Sequence, residues 1–167
     1  MRATRLEDLL ELEAIRTLKM HYCLGVDTKD WSLYRSCFAD DARVGGGLPE
    51  GDEQAAAILG PDEWVAAVAA TVGTIKTLHT VHASIVEMIG PARARGLWQY
   101  TQRGWGRTGG YYSEEYTKAG GSWKIASMRI TPIFANAGDD TTEAGPDSFQ
   151  EVASAWRALT TPWLSPL

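Results

Sequence analysis

The chain is short of the residues that mark several large classes of protein. Cysteine is almost absent: Cys23 and Cys37 are the only two in 167 residues. Two thiols build no disulfide framework, so free thiols in a cytoplasmic protein are expected. No apolar run approaches the ~20 residues needed to cross a bilayer, which argues against a membrane partner. Basic residues form no cluster, and 16 Lys+Arg against 21 Asp+Glu leave a net charge of −5. Nucleic acid, whose phosphates demand a basic footprint, is therefore not an expected ligand. The opening MRATRLEDLL holds two arginines but also Glu7 and Asp8, with Glu11 and Glu13 following; no secretory apolar region is expected there. No Gly-x-Ser-x-Gly occurs. The glycine-rich GWGRTGG at 104–110 lies between strand-like segments and opens no helix, which makes it a poor phosphate loop.

Aromatic residues, in contrast, are plentiful, with seven Trp and six Tyr. Such side chains fill a core or line an apolar pocket with polar tips. Apolar residues at 44% and charged residues at 22% suit one folded domain of this length. Leu6, Leu9, Leu10, Ile15, Leu18, Tyr22 and Val26 recur at three- and four-residue spacing and predict a first helix, weakened near its end by Gly25. A short second helix over about Asp30–Phe38 buries Trp31, Tyr34 and Phe38. Asp40–Val44 reads as a strand, Gly45–Asp52 as a turn and Ala55–Leu59 as a candidate strand. Pro61 begins a helix that carries Trp64, Val65, Val68, Ala69 and Val72 to Gly73. The period then becomes strand-like over Ile75–Ile89, Ala92–Gln102, Gly110–Thr117 and Trp123–Phe134, which predicts an antiparallel meander. After a polar stretch, Ser148-Phe-Gln-Glu151 is a capping-box pattern opening a last helix. Helices first and a meander afterwards predict an α+β fold with helices on one face of a curved sheet.

The three histidines stand at 21, 79 and 82. His79 and His82 share a strand at an odd spacing, so alternation sends them to opposite faces and they form no common metal site. By regular alternation His79 shares the apolar face with Ile75, Val81, Ala83 and Ile85, while His82 goes with Lys76, Thr80 and Ser84. His79 is the candidate for a buried cavity, or a core histidine bonded to backbone. Tyr22 lies on the buried stripe of the first helix, where it either packs in the core or turns its hydroxyl into a wet cavity. Asp27, near that helix's end, is either a functional carboxylate or, like Thr28, a cap for the next helix. Trp98 and Tyr100 share one strand face, and Tyr112, Glu114 and Tyr116 another; these rows floor a pocket or simply fill the core.

Taken together, these pieces resemble the SnoaL-like proteins of the nuclear-transport-factor-2-like superfamily, which includes scytalone dehydratase and the bile-acid 7α-dehydratases. The resemblance is carried by LEAIRTLKMHYCLGVDTKDW from Leu12 to Trp31, FADDA from Phe38 and TLHTVH from Thr77. ARGLW from Ala94, GYYSEEYT from Gly110 and GSWKIASMR from Gly121 extend it. It implies an α+β cone over residues 1–134, a curved antiparallel sheet wrapped around N-terminal helices with an apolar pocket inside. Residues 135–167 are then an extension whose helix acts as lid or oligomer contact. It further implies that Tyr22, Asp27 and His79 meet in that pocket as catalytic residues, with no cofactor and no metal. Asp27 would fix the His79 tautomer, His79 would abstract a proton, and Tyr22 would stabilise the developing oxygen charge. Trp64, Trp98, Tyr100, Tyr112, Tyr116 and Arg129 are the candidate substrate contacts. Regular alternation puts Arg129 on the outer face, so it needs a bulge to turn inward. The chain departs from the dehydratase pattern at Gln102, in place of an acidic residue, and at Pro132, in place of an arginine.

The expected function is a cofactor-independent lyase that eliminates water or another small group from a hydrophobic cyclic or aromatic molecule. The alternatives are an isomerase or polyketide-type cyclase in the same pocket, and a non-catalytic ligand-binding subunit. The partner calculus is a small-molecule substrate and a homo-oligomer, dimer or trimer.

Overall fold

A computed structural model describes residues 6–46, 58–104 and 106–136. Helix α1 spans Leu6–Thr28 and buries Ile15, Leu18, Lys19, Tyr22, Cys23, Gly25 and Val26 along one stripe. Its first turns differ from the sequence expectation, because Leu6, Leu9 and Leu10 are 71%, 55% and 62% exposed. Gly25 is a point of close approach rather than a weak spot. A Cβ there would lie 2.8 Å from the backbone nitrogen of Tyr34 and 2.9 Å from its Cα. That glycine lets α2 (Trp31–Ser36) press directly against α1. Between the two helices Lys29 takes the left-handed conformation, φ 62°, which stops α1. Asp30 then caps α2 by accepting the Leu33 N–H at 2.9 Å. Asp30 thus does the capping, and the Asp27 carboxylate is left for another partner.

Strand β1 covers Phe38–Gly46. Of the expected second strand, Ala55–Ala57 lie outside the described residues, and Leu59 forms only an isolated bridge to Val44. Most of the Gly45–Asp52 turn also lies outside them. Helix α3 runs Pro61–Val72 with Pro61 in its first turn, where a missing N–H costs nothing. The Glu63 carboxylate reaches back to the Gly60 N–H at 3.2 Å. Strands β2 (Leu78–Gly90), β3 (Arg93–Arg103), β4 (Arg107–Ala119) and β5 (Ser122–Asn136) follow. The sheet order is β1-β5-β4-β3-β2. The last four strands form the expected antiparallel meander, but β1 pairs with β5 in parallel. A parallel partner as distant as Ile125 is from Phe38 leaves no local signature.

The curved, unclosed sheet packs its inner face against the three helices. The core joins Ile15, Tyr22 and Val26 of α1 to Tyr34, Phe38, Val44, Ile125 and Met128. One irregularity in β2 matters for the site. Val81 pairs with Tyr100 and Ser84 with Trp98, so β2 spends an extra residue between them. This bulge reverses the alternation beyond His82. Ser84, Val86 and Met88 therefore turn inward, Ile85 is 50% exposed, and neither Ala83 nor Ile85 shares the face of His79. The extension beyond Asn136, including the helix expected from Ser148, lies outside the described residues.

Candidate active site

The end of α1 and the start of β2 bring Asp27 and His79 together across 52 positions of chain. His79 Nδ1 lies 2.7 Å from Asp27 Oδ1, and the His79 backbone N–H donates to Asp27 Oδ2 at 2.8 Å. Thr77, two residues earlier and just before β2 begins, donates from Oγ1 to Asp27 Oδ1 at 2.9 Å. Lys29 Nζ in turn donates to Thr77 Oγ1 at 2.9 Å, which directs the Thr77 proton at the carboxylate. Both side chains of the pair are largely enclosed, His79 at 8% and Asp27 at 15% exposure. Burial pushes the Asp27 carboxyl upward. The hydrogen bonds from the His79 ring and backbone, the imidazole charge and the Thr77 hydroxyl outweigh it and hold Asp27 below the ordinary carboxylate value. An ionised Asp27 accepts a hydrogen bond from an Nδ1–H, and in a neutral ring that tautomer has Nε2 as its acceptor.

His79 borders a cavity of about 250 Å³ between the helices and the sheet. Tyr22 and Val26 of α1, Tyr34 of α2, and Trp64, Ala67, Val68, Thr71 and Val72 of α3 form its helical side. Tyr100, Gln102, Tyr112 and Ile130 complete it from the sheet. The lining is mainly apolar and aromatic, with no Lys, Arg, Asp or Glu in it among the described residues. Burial drives the Tyr22, Tyr34, Tyr100 and Tyr112 hydroxyls upward, so all four stay protonated as neutral donors. Trp64 Nε1 donates to the Tyr34 hydroxyl at 2.9 Å, and the Tyr22 and Tyr34 rings pack with their centroids 4.9 Å apart. Cys23 is pushed up to about 11 and Cys37 to about 12, both chiefly by burial; neither is an activated nucleophile.

The candidate contacts separate into two groups. Tyr22, Trp64, Tyr100 and Tyr112 border the cavity with His79, while Trp98, Tyr116 and Arg129 do not. Trp98 Nε1 donates to the Tyr116 hydroxyl at 2.7 Å, Tyr116 donates to Glu114, and Glu114 pairs with Lys19. These residues close a second buried cluster. Gly96 makes room for it, since a Cβ there would meet Trp98 Nε1 and the Tyr116 hydroxyl at 2.9 Å. Arg129 is exposed. Bulges occur in β5 between the partners of Gly109 and Gly110 and between those of Glu115 and Tyr116, and neither turns Arg129 inward. Met128 is buried and Ile130 takes the cavity position. Tyr34 and Thr77 belong to the site although the sequence pattern did not single them out. Thr77 could have been found from its place two residues before His79. Gln102, paired with His79 across β2 and β3, occupies the position of the absent acid.

The SnoaL-like domain model matches residues 7–129. The chain belongs to the SnoaL-like family. Solved structures of similar fold include the hexachlorocyclohexane dehydrochlorinase LinA-type3 of Novosphingobium barchaimii. It has TM-score 0.69 and 19% identity, over 84% of this chain and 99% of that one. A scytalone dehydratase candidate from Novosphingobium aromaticivorans has TM-score 0.67 and 17% identity, over 83% and 97%. A protein of unknown function from Mycobacterium tuberculosis has TM-score 0.66 and 19% identity, over 95% and 96%. At such identities the likeness concerns the fold. No curated protein matches the chain in sequence. Among the described residues, no helix is long and apolar enough to cross a membrane.

Proposed function

We propose that this SnoaL-like protein is a lyase that uses His79 and Asp27 to eliminate water or another small group from an apolar cyclic or aromatic molecule. The observation that carries the reading is the 2.7 Å contact of His79 with Asp27 at the wall of an uncharged cavity. Asp27 holds the Nδ1 proton, and Nε2 takes a proton from a carbon of the substrate. The C–H electron pair becomes the new double bond, and the leaving group departs from the neighbouring carbon with its own electrons. The proton on Nε2 then passes to the leaving group or to water, which restores the imidazole. The Tyr22 hydroxyl donates to the oxygen on which charge builds, in surroundings of low dielectric that strengthen the contact. Two of the structural neighbours are described as a dehydrochlorinase and a scytalone dehydratase candidate, which agrees with elimination chemistry.

Gln102 favours a second reading. An amide donates hydrogen bonds but cannot protonate a departing hydroxide, so an isomerisation needing no leaving group is the alternative. Both begin with the same proton abstraction, and product mass separates them, because isomerisation conserves it. The test is a panel of cyclic ketones with and without a β-leaving group, incubated in deuterated water and followed by NMR and mass spectrometry. Exchange or elimination by the wild type should fall about 10²–10⁴-fold in His79→Ala. Equal rates in the two proteins would remove the mechanism.

A further inference from the structure

The second buried cluster plays no part in the proton transfer above. Lys19 lies one helical turn before Tyr22 on α1, and its side chain and that of Glu114 on β4 are both 0% exposed. Lys19 Nζ pairs with Glu114 Oε1, while Glu114 Oε2 accepts the Tyr116 hydroxyl. The same Nζ stands 4.1 Å from the centroid of the Tyr22 ring and 3.6 Å from that of Tyr112. Both residues also line the cavity. A sealed ion pair is no better for stability than apolar side chains of the same volume, so stability does not explain its presence. Its orientation is informative: the cationic end lies against the two cavity rings and the anionic end points away, toward Tyr116 and Trp98. A cation on a phenol ring favours that ring most as its oxygen gains negative charge, which happens when the hydroxyl donates strongly.

We propose that Lys19, held in place by Glu114, is a positioning residue that strengthens the Tyr22 hydroxyl as a donor, so that the cavity binds an oxyanion, an enolate or phenolate, in preference to its neutral counterpart. This rests on the reading of the cavity as a site of proton abstraction and adds the group that stabilises the resulting anion. The cluster acts through the rings and touches no ligand.

The test compares two probes of nearly equal shape, 4-nitrophenolate and neutral 4-nitroaniline, titrated calorimetrically at a pH where the first is ionised. The variant is Lys19→Met/Glu114→Gln, which removes both charges together and keeps a partner for Tyr116. Lys19→Met/Glu114→Leu replaces it if circular dichroism shows loss of fold. The expected result is a loss of about tenfold for the phenolate and a change under about twofold for the aniline. In a Tyr22→Phe background the same double change should alter phenolate affinity by less than about twofold, since the donor is gone. Equal losses for both probes would show a merely structural cluster and overturn the proposal, as would an unchanged phenolate affinity. Failure of the phenolate to bind the wild type would overturn the cavity reading, and the proposal with it. Failure of the His79 mechanism alone would show in the His79→Ala rates while the probe preference persisted.

Discussion

Two polar clusters tie α1 to the sheet, and they differ in burial and in what they border. Asp27 meets His79 near the end of the helix, and Lys19 meets Glu114 about two turns earlier. The Lys19 cluster carries the more deeply buried charge, with 0% exposure on both partners against 8% and 15% for the histidine pair. Buried charge alone would therefore point to Lys19 and Glu114, which do not line the cavity, rather than to His79, which does. The Lys19 cluster is closed, since Glu114 is held by Lys19 and Tyr116, and Tyr116 in turn takes the Trp98 N–H. The histidine cluster, in contrast, includes a ring that borders the cavity. A place at the cavity wall, rather than depth of burial, separates the proposed reactive pair from the Lys19 cluster.

Substitutions that exchange the consequences of the two clusters would break this contrast. His79→Ala should lower turnover about 10²–10⁴-fold, or ~3–5 kcal/mol of barrier, with the circular dichroism spectrum retained. A variant that lost its fold instead would make His79 a structural residue. Lys19→Ala should do the reverse and act first on stability. It strands Glu114 without its cation, at a cost of about 3–5 kcal/mol in urea unfolding. The joint replacement Lys19→Met/Glu114→Leu should recover most of that loss. If it did not, the pair would be contributing net stability and the functional argument for it would weaken. Thr77→Val is a smaller change. It deprives Asp27 of one donor worth ~1 kcal/mol, so turnover should fall several-fold with little effect on affinity. A change confined to affinity would show that Thr77 orders the cavity wall rather than the carboxylate.

Much of the fold was legible because its signals are local. The three- and four-residue spacing of Ile15, Leu18, Tyr22 and Val26 marked α1, Pro61 marked the start of α3, and the four long β-rich segments became the meander. The parallel pairing of β1 with β5 was not legible, since it depends on distant backbone geometry. The Asp27, His79 and Tyr22 set could be named through the family resemblance, but spacing alone gave each residue an equally good structural role. Capping chemistry was ambiguous between neighbours until Asp30, not Asp27, was seen to hold α2. The bulge after Val81 defeated simple alternation and removed Ala83 and Ile85 from the face of His79. Trp98 and Tyr116 looked like pocket residues because an aromatic row reads the same whether it faces space or closes on a buried carboxylate. No pattern of one strand reveals that Lys19 is its partner's partner.

The smallest expected effect concerns pH, and it sharpens the contrast from the carboxylate side. Asp27 has a folded value held below that of the unfolded chain by His79 and Thr77. The unfolded state therefore takes up its proton first as pH falls. The stability due to Asp27 is fully present above the ordinary carboxylate range, near pH 4, and is lost as pH drops through the lower folded value. Other acidic groups also titrate in that range, Glu11 among them, lowered by its bonds to Lys118 and Trp123. The informative quantity is thus the difference between wild type and Asp27→Asn, measured by urea unfolding at a series of pH values. That difference should be constant at neutral pH and shrink on acidification below about pH 4. A difference that stayed constant into acid would mean that the carboxylate charge is not what binds Asp27 to His79, and the tautomer argument for Nε2 would lose its support.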